Sequence, residues 1–470
     1  MGQLNIGDLM DYVNTDWSEA LKNYESVIES GIVSMQVKAT IKLARLAKHV
    51  PSQILARTIP VLAKLLESSS SDMSIHPIQE AAAYCLKRVA CRGDGALAVD
   101  IGQSGATSTI LRLLPRCSDG SRQVLLRCLW CLVNFDGGNR VIVARNGGLG
   151  IILHLLSSYM HDDRRYLLEV LSALALLREV RRVLIRLRGL RYLVEAARFG
   201  CLKSRERACQ ALGLLGLMRR VRFLLFELGV IPVLVELFHC GDNTTKLIVG
   251  NSLGVICTHI HLIRPLAEAG AIPLYAELLQ GADSNGKDIA EDVFCLLAVD
   301  EENALAIADQ LVKILKEGDD EAKIAASDVL WDLSSYKHSV SLAGNSGAIP
   351  VLIELLQDDN ENVREKVSAT IAQLSYDEGD RVILADAGAV PALIELLGDD
   401  VEEIRDNVVE ALINISEDQQ QRDIITEAVD ASTFASMQNR LAQLRLSDEH
   451  MVRSMRRMSI EQLTWDPDVV

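Results

Sequence analysis

An all-α solenoid is the fold class that the sequence predicts, and three observations predict it. The stretch "GAIPVLIELL" at Gly347 returns as "GAVPALIELL" at Gly388, a spacing of roughly 41 residues that belongs to solenoid repeats. Weaker copies follow along the chain, "RTIPVLAKLL" at Arg57, "GATSTILRLL" at Gly105, "GGLGIILHLL" at Gly147, "GLRYLVEAAR" at Gly189, "GVIPVLVELF" at Gly229 and "GAIPLYAELL" at Gly270, at intervals of about 40 to 42 residues from Gly105 onward. Hydrophobic residues make up 49% of the chain and aromatics only 4%, a mixture that suits helices packed closely on helices. A chain of 470 residues ordinarily suggests about three compact domains, but stacked repeats lengthen without adding separate cores.

Each part of the repeating unit has a physical reason. Gly ends a short first helix in a left-handed cap, and Pro a few residues on sits in the first turn of a second helix. "VLIELL" then supplies that helix with an apolar stripe. An acidic turn such as "QDDNEN" leads to a third helix, for example "VREKVSATIAQLS" from Val363 to Ser375, whose apolar residues recur three and four apart. Between Gly270 and Gly347 one copy, "IADQLVKIL", lacks the Gly and Pro, and the shortened spacing predicts a degraded first helix there.

This three-helix unit of about 42 residues resembles the armadillo repeat, over nearly the whole chain. The resemblance implies a right-handed superhelix of about nine to ten units whose third helices line a concave groove. The expected organisation is a helical cap over 1–56, repeats over 57–430 and a helical or flexible tail over 431–470, with "VSMQVKATIKLARLA" from Val33 to Ala47 as the last cap helix. A basic residue precedes the punctuating Gly by about seven positions at Arg140, Arg182, Arg222 and Arg381. The resemblance implies that this side chain ties the short helix to neighbouring backbone. "ESSSSDMS" from Glu67 to Ser74 reads as a flexible loop between a second and a third helix.

Motifs of chemistry are missing. The sequence contains no G-x-x-x-x-G-K-[ST] phosphate loop, no H-E-x-x-H, no G-x-S-x-G and no kinase set, so the expectation is a non-enzymatic chain without catalytic, metal or cofactor residues. Cys128 and Cys131 in "RCLWCLVN" have C-x-x-C spacing, but the second pair that a tetrahedral zinc site needs does not accompany them. They read as thiols on a packed helix, and the ten cysteines as reduced small hydrophobes. His259 and His261 read as loop residues, and the acid pairs Asp358 with Asp359 and Asp399 with Asp400 as complements to helix dipoles. The opening residues do not read as a secretory signal, and apolar runs are broken well short of about 18 residues. Ile6 stands where a myristoylation signal wants Ser or Thr. The expected location is soluble, in cytoplasm or nucleus.

Charge is uneven. Between Arg164 and Arg222 about fifteen bases face about four acids, whereas from Glu277 to Asp430 about 36 acids face about ten bases. The basic stretch fits an acidic protein segment and, equally, a solvated face or one paired with acids of its own chain; nucleic acid is disfavoured because no stacking aromatics are interleaved. Aligning the third helices nominates two ladders of groove residues. One holds Tyr84, Arg127, Glu169, Gln210, Asn251, Asp292, Asp328, Ala369 and Glu410; the other holds Arg45, Arg88, Cys131, Ala173, Leu214, Val255, Leu296, Asp332, Gln373 and Asn414. The order runs from basic through apolar to acidic, which predicts a groove for an extended or helical protein segment whose acidic end lies towards Arg45, Arg88 and Arg127.

Importin-alpha proteins hold basic peptides with a Trp and an Asn four residues apart, and Trp130 with Asn134 in "LWCLVN" matches that pair. The ladder around it does not repeat, and no Arg-rich importin-beta-binding segment opens the chain. The "GAIPVLIELL" phrasing is most similar to plant-type armadillo proteins, here without a U-box. The resemblance implies a protein-binding scaffold or adaptor in signalling or transcriptional regulation; the alternative is a substrate-recognition subunit of a ubiquitin-ligase assembly, and after it importin-alpha-like cargo binding. In the tail, "RRMS" makes Ser459 a candidate phosphorylation site.

Overall fold

A computed structural model of the chain describes residues 16–67, 77–158, 163–334 and 342–445. Among these residues there are helices and no strand. The serine-rich stretch beyond Glu67 and the candidate Ser459 lie outside the described residues. The chain falls into two compact units, Met1–Ile256 and Cys257–Val470.

Each unit is a stack of repeats in which a third helix packs on the third helix of the next repeat. In the first unit these are α1 (Val33–Leu46), α2 (Pro77–Ala90), α3 (Asp119–Phe135), α4 (Arg164–Leu174), α5 (Leu202–Gly216) and α6 (Asn243–Ile256). In the second they are α7 (Ser284–Leu297), α8 (Asp320–Leu333), α9 (Glu361–Leu374) and α10 (Glu402–Ile415). The core of the stacks is mainly Leu, Ile, Val and Ala, with Phe238, Tyr275 and Phe294 as the largest enclosed side chains. Each fully buried Leu or Ile contributes about 2 kcal/mol of transfer free energy, so the stripe on every helix is what holds one repeat to the next. A helix over 431–445 closes the second stack: Phe434, Met437 and Leu441 are buried and Arg440 pairs with Asp406 at 2.8 Å.

The caps follow the expected grammar at most positions. Gly105, Gly147, Gly229, Gly270, Gly347 and Gly388 have φ of 86°, 73°, 70°, 86°, 73° and 84°, the left-handed region where a Cβ costs about 1 kcal/mol. Arg140 Nε donates to the Val133 carbonyl at 2.9 Å, Arg222 Nε to that of Gly216 at 2.6 Å, and Arg381 Nη1 to those of Ser375 and Tyr376 at 3.1 Å. These bonds satisfy carbonyls that the end of the preceding third helix leaves open.

One repeat departs by a residue. Gly189 has φ −82°, and the left-handed position falls on Arg188 at 53°. A Cβ at Gly189 would lie 2.4 Å from Leu184 Cδ1 and 3.1 Å from Leu153, so this glycine serves close packing and the cap moves back one place. The tie moves with it. Arg181, not Arg182, donates to the carbonyls of Ala175 and Leu176, at 3.1 and 2.8 Å.

The repeat at "IADQLVKIL" also differs from expectation. Its first helix is not degraded but fused to the second as one helix, Glu301–Glu317, because no Gly or Pro interrupts it. Likewise Pro60 lies inside an unbroken helix, Ser52–Glu67. Among the described residues no single helix is long and apolar enough to cross a membrane. The pair Gly137–Arg145 and Gly148–Ser158 has the composition but bends by 81°, and its Val143, Ile152 and Leu156 belong to the core.

Turn acids do the dipole work expected of them and more. Asp358 and Asp399 accept from the Asn360 and Val401 N–H groups at 3.0 Å. They also pair with Lys323 and Arg364 at 2.9 and 3.3 Å, the same bridge moved one repeat along. The backbone bond first, and then Lys323, holds the Asp358 carboxyl below its usual range. His259 caps the helix Ile260–Glu268, its Nδ1 accepting from the His261 N–H at 3.3 Å.

Candidate functional site

The third-helix face of the second stack contains a groove of about 650 Å³ built from α7 to α10. Asp328 and Asp332 stand one turn apart on α8, Gln373 on α9 and Glu410 on α10, and all four line it. Spacing of four along a helix puts each pair on one face, which is why the ladder alignment brings them together. Asp292 is exposed beside this groove in sequence, but its neighbour Glu291 is the residue that lines it. Leu296 is half-buried on α7. Asn414 is buried: its Nδ2 donates to Ser375 Oγ at 2.9 Å and its Oδ1 accepts from Arg445 at the same distance.

The groove is acidic and only partly compensated. Lys366 Nζ lies 3.1 Å from Asp328 Oδ1 and is the one base among the lining residues. Half-buried Glu291 has its carboxyl pushed up from 4.5 to about 7, first by burial and then by Asp332 and Asp328. The adjacent Cys295 Sγ sits 3.6 Å from Asp332 Oδ2, and burial with that carboxylate pushes the thiol up to about 12. Such mutual repulsion is what a bound cation would relieve.

Two aromatic residues that the ladders passed over complete the site. Trp331 is 46% exposed on the groove wall, and Tyr376 donates its hydroxyl to Glu410. Asn407 also lines the groove, its Nδ2 on Ser368 Oγ at 3.1 Å. A signal for Trp331 was present: it lies three residues past Asp328 as Trp130 lies three past Arg127.

The third-helix face of the first stack is arranged differently. Arg45 and Arg88 are exposed, and Arg45 shares a cleft with Glu80 and Tyr84. Arg127 lies over the Tyr166 ring, 5.4 Å from its centroid. Trp130 meets the same ring edge-on at 5.7 Å and donates Nε1 to Glu169. Glu169 is 1% exposed and also accepts from Arg165 at 2.9 Å and from the Cys201 N–H at 3.4 Å. Asn134 Oδ1 accepts from Arg207, which stands two third helices farther along. The Trp130 and Asn134 side chains thus bind their own chain. Gln210, Leu214 and Asn251 are exposed on α5 and α6, Val255 is half-buried, and the rungs Cys131 and Ala173 are buried.

Cys128 and Cys131 are both enclosed, and Cys131 Sγ lies 3.2 Å from Cys91 Sγ of the preceding repeat. The hydrogen bond from Cys131, with Lys87 and Arg88 nearby, lowers the Cys91 thiol to about 7.

Comparison with known proteins agrees with the repeat architecture. The Armadillo/beta-catenin-like repeat model matches residues 338–376 and 377–417. No curated protein matches the chain. Among solved structures it is similar to an engineered protein from a structural genomics programme, at 22% identity and TM-score 0.59, over 84% of this chain and 99% of that one. It also matches a designed armadillo repeat protein at 22% identity and TM-score 0.36, over 48% of this chain and 99% of the other. A further designed armadillo repeat protein, in complex with the peptide (KR)4, matches at 22% identity and TM-score 0.38, over 48% and 99%. Residues 338–417 thus match two armadillo repeats, and the in-phase left-handed caps and third-helix-on-third-helix packing carry the same repeat architecture through the other described residues.

Proposed function

We propose that the protein is a non-enzymatic adaptor in signalling or transcriptional regulation, and that the third-helix groove of its second stack holds an extended basic segment of a partner protein. The observation that carries this reading is the carboxylate cluster of Glu291, Asp328 and Asp332 beside an exposed Trp331, with Lys366 as its single lining base. Lys or Arg ammonium and guanidinium groups would replace the repulsion among these acids with attraction. Their aliphatic stems would pack on the Trp331 and Tyr376 rings, where cations are also drawn to the π face.

The first stack supports the other half of the expected polarity. Arg45 and Arg88 are exposed on its third-helix face, where an acidic segment would pair with them.

The test is fluorescence anisotropy of a labelled Lys/Arg-rich peptide against the full chain. Binding is expected to weaken with salt. The double variant Asp328→Asn/Asp332→Asn should lose roughly tenfold in affinity, by analogy with removing interfacial charges. Equal binding by wild type and variant would overturn the reading.

A further inference from the structure

A second groove lies on the first stack, away from its third helices, where first and second helices of successive repeats meet. It has a volume of about 850 Å³, and its floor includes the buried Leu153, Leu190 and Tyr192. Leu187 and Leu228 stand on its rim, 49% and 39% exposed, with Leu224 beside them. Arg188 and Arg191 flank the opening, and Glu227 is the acid that faces it.

Packing of the repeat does not ask for these rim leucines. Each occupies the residue just before the left-handed cap. At that place other repeats carry Ser104, Asn146, Ala269, Ser346 and Ala387. Only the two neighbours that share this groove carry Leu. Arg188 is out of pattern as well, since it holds φ 53° where the other caps use Gly. A backbone conformation that disfavours side chains is kept here together with a cationic one.

The surrounding charge is mainly basic, Glu227 apart. Arg182, Arg186, Arg188, Arg219 and Arg220, on the two first helices and the cap that border the groove, are exposed, and their guanidinium groups make no hydrogen bond or ion pair with any described residue. An apolar trough within a field of free guanidinium groups selects an apolar ligand edged with carboxylates.

We infer that this groove docks one amphipathic helix of a partner protein, apolar along one stripe and flanked by Asp and Glu. Leu187 and Leu228 hold equivalent positions in consecutive repeats, so the usual helix packing distance of about 10 Å is the separation expected between them. On a helix, residues i and i+7 share a face at about 10.5 Å. A β-strand covers that distance in three residues, and residues three apart point to opposite faces. A bilayer surface would touch the rim and leave the floor of the trough unfilled.

Selection of displayed peptides of roughly 16 residues on the full chain tests the assignment, that length being enough for two heptads. Enriched peptides should carry apolar residues at heptad spacing with Asp or Glu alongside. They should lose roughly tenfold or more in affinity for Leu187→Ser/Leu228→Ser and for Arg188→Glu, with far-UV circular dichroism unchanged. Peptides indifferent to these variants, or groove-dependent peptides that are basic or Pro-rich, would overturn it. Vesicles of phosphatidylserine and phosphatidylcholine should not sediment the chain. Sedimentation that the double Leu variant abolishes would assign the face to a membrane instead.

Discussion

Trp130 and Trp331 stand at one register of the repeat, three residues past the first rung of the ladder, yet they live in opposite circumstances. Trp130 gives its N–H to Glu169 and its ring edge to Tyr166, and Asn134 one turn on is held by Arg207. Trp331 is nearly half exposed, beside carboxylates that repel one another. The same residue at the same position is a structural clasp in one stack and an open surface in the other. What separates them is the neighbouring repeat: α4 supplies a buried carboxylate partner, whereas α9 offers Ala369 at the corresponding rung.

The largest effect expected from breaking this contrast is in the first stack. Glu169→Ala removes a buried carboxylate that three donors share, and should lower stability by about 3 kcal/mol in urea denaturation. Trp130→Ala should follow at about 2 to 3 kcal/mol, while Trp331→Ala should change stability by less than about 0.5 kcal/mol and act on peptide binding instead. Similar losses for both tryptophans would erase the distinction.

A smaller effect belongs to Glu291. Its folded pKa of about 7 lies above the usual 4.5, so the native state binds the proton more tightly than the unfolded one. The associated stability is fully present below about pH 4.5 and is lost as pH rises through about 7. Glu291→Gln should therefore match wild type at pH 4 and exceed it by about 1 kcal/mol at pH 8, a value reduced for solvent screening of a half-exposed group. Basic peptide binding should run the other way and tighten between pH 6 and 8, as Glu291 ionises. A stability difference that does not change with pH would show that the acids are not coupled.

The mildest probe leaves stability untouched. Cys91 is exposed and lowered to about 7, whereas Cys85 and Cys209 are buried and pushed up to about 12. Iodoacetamide at pH 7.5 should label Cys91 first, with a rate that rises through pH 7. Cys131→Ser should shift that midpoint, because the hydrogen bond from Cys131 is the leading cause of the lowered value.

Much of the fold was legible because its signals are local. A left-handed glycine and a helix-starting proline need only their own backbone, and they recur in phase. The departures were not legible for the complementary reason. Gly189 is a packing glycine because Leu184 and Leu153 press on it, a fact of tertiary contact. That shift of one residue also exchanged Arg182 for Arg181 as the tie. In the groove, Asp328, Asp332, Gln373 and Glu410 could be aligned by helical period, but the burial of Asn414 depends on Arg445 of the closing helix. The match of Trp130 and Asn134 to a peptide-holding pair was readable as spacing. That Glu169 and Arg207 already occupy both side chains was not.

The fused helix Glu301–Glu317 has a consequence for how the second stack becomes ordered. Linear arrays can begin to fold at any unit and spread to neighbours. Most first and second helices here are too short to persist alone, since isolated helices below about 12 residues are marginal. This one has 17 residues without a break, and its start is fixed by Asp300 accepting from the Asn303 N–H at 3.2 Å. Amides of 305–315 should be the earliest in the second stack to gain protection in pulsed hydrogen exchange. The repeat that lost its punctuation is thus the natural starting point for those that kept it.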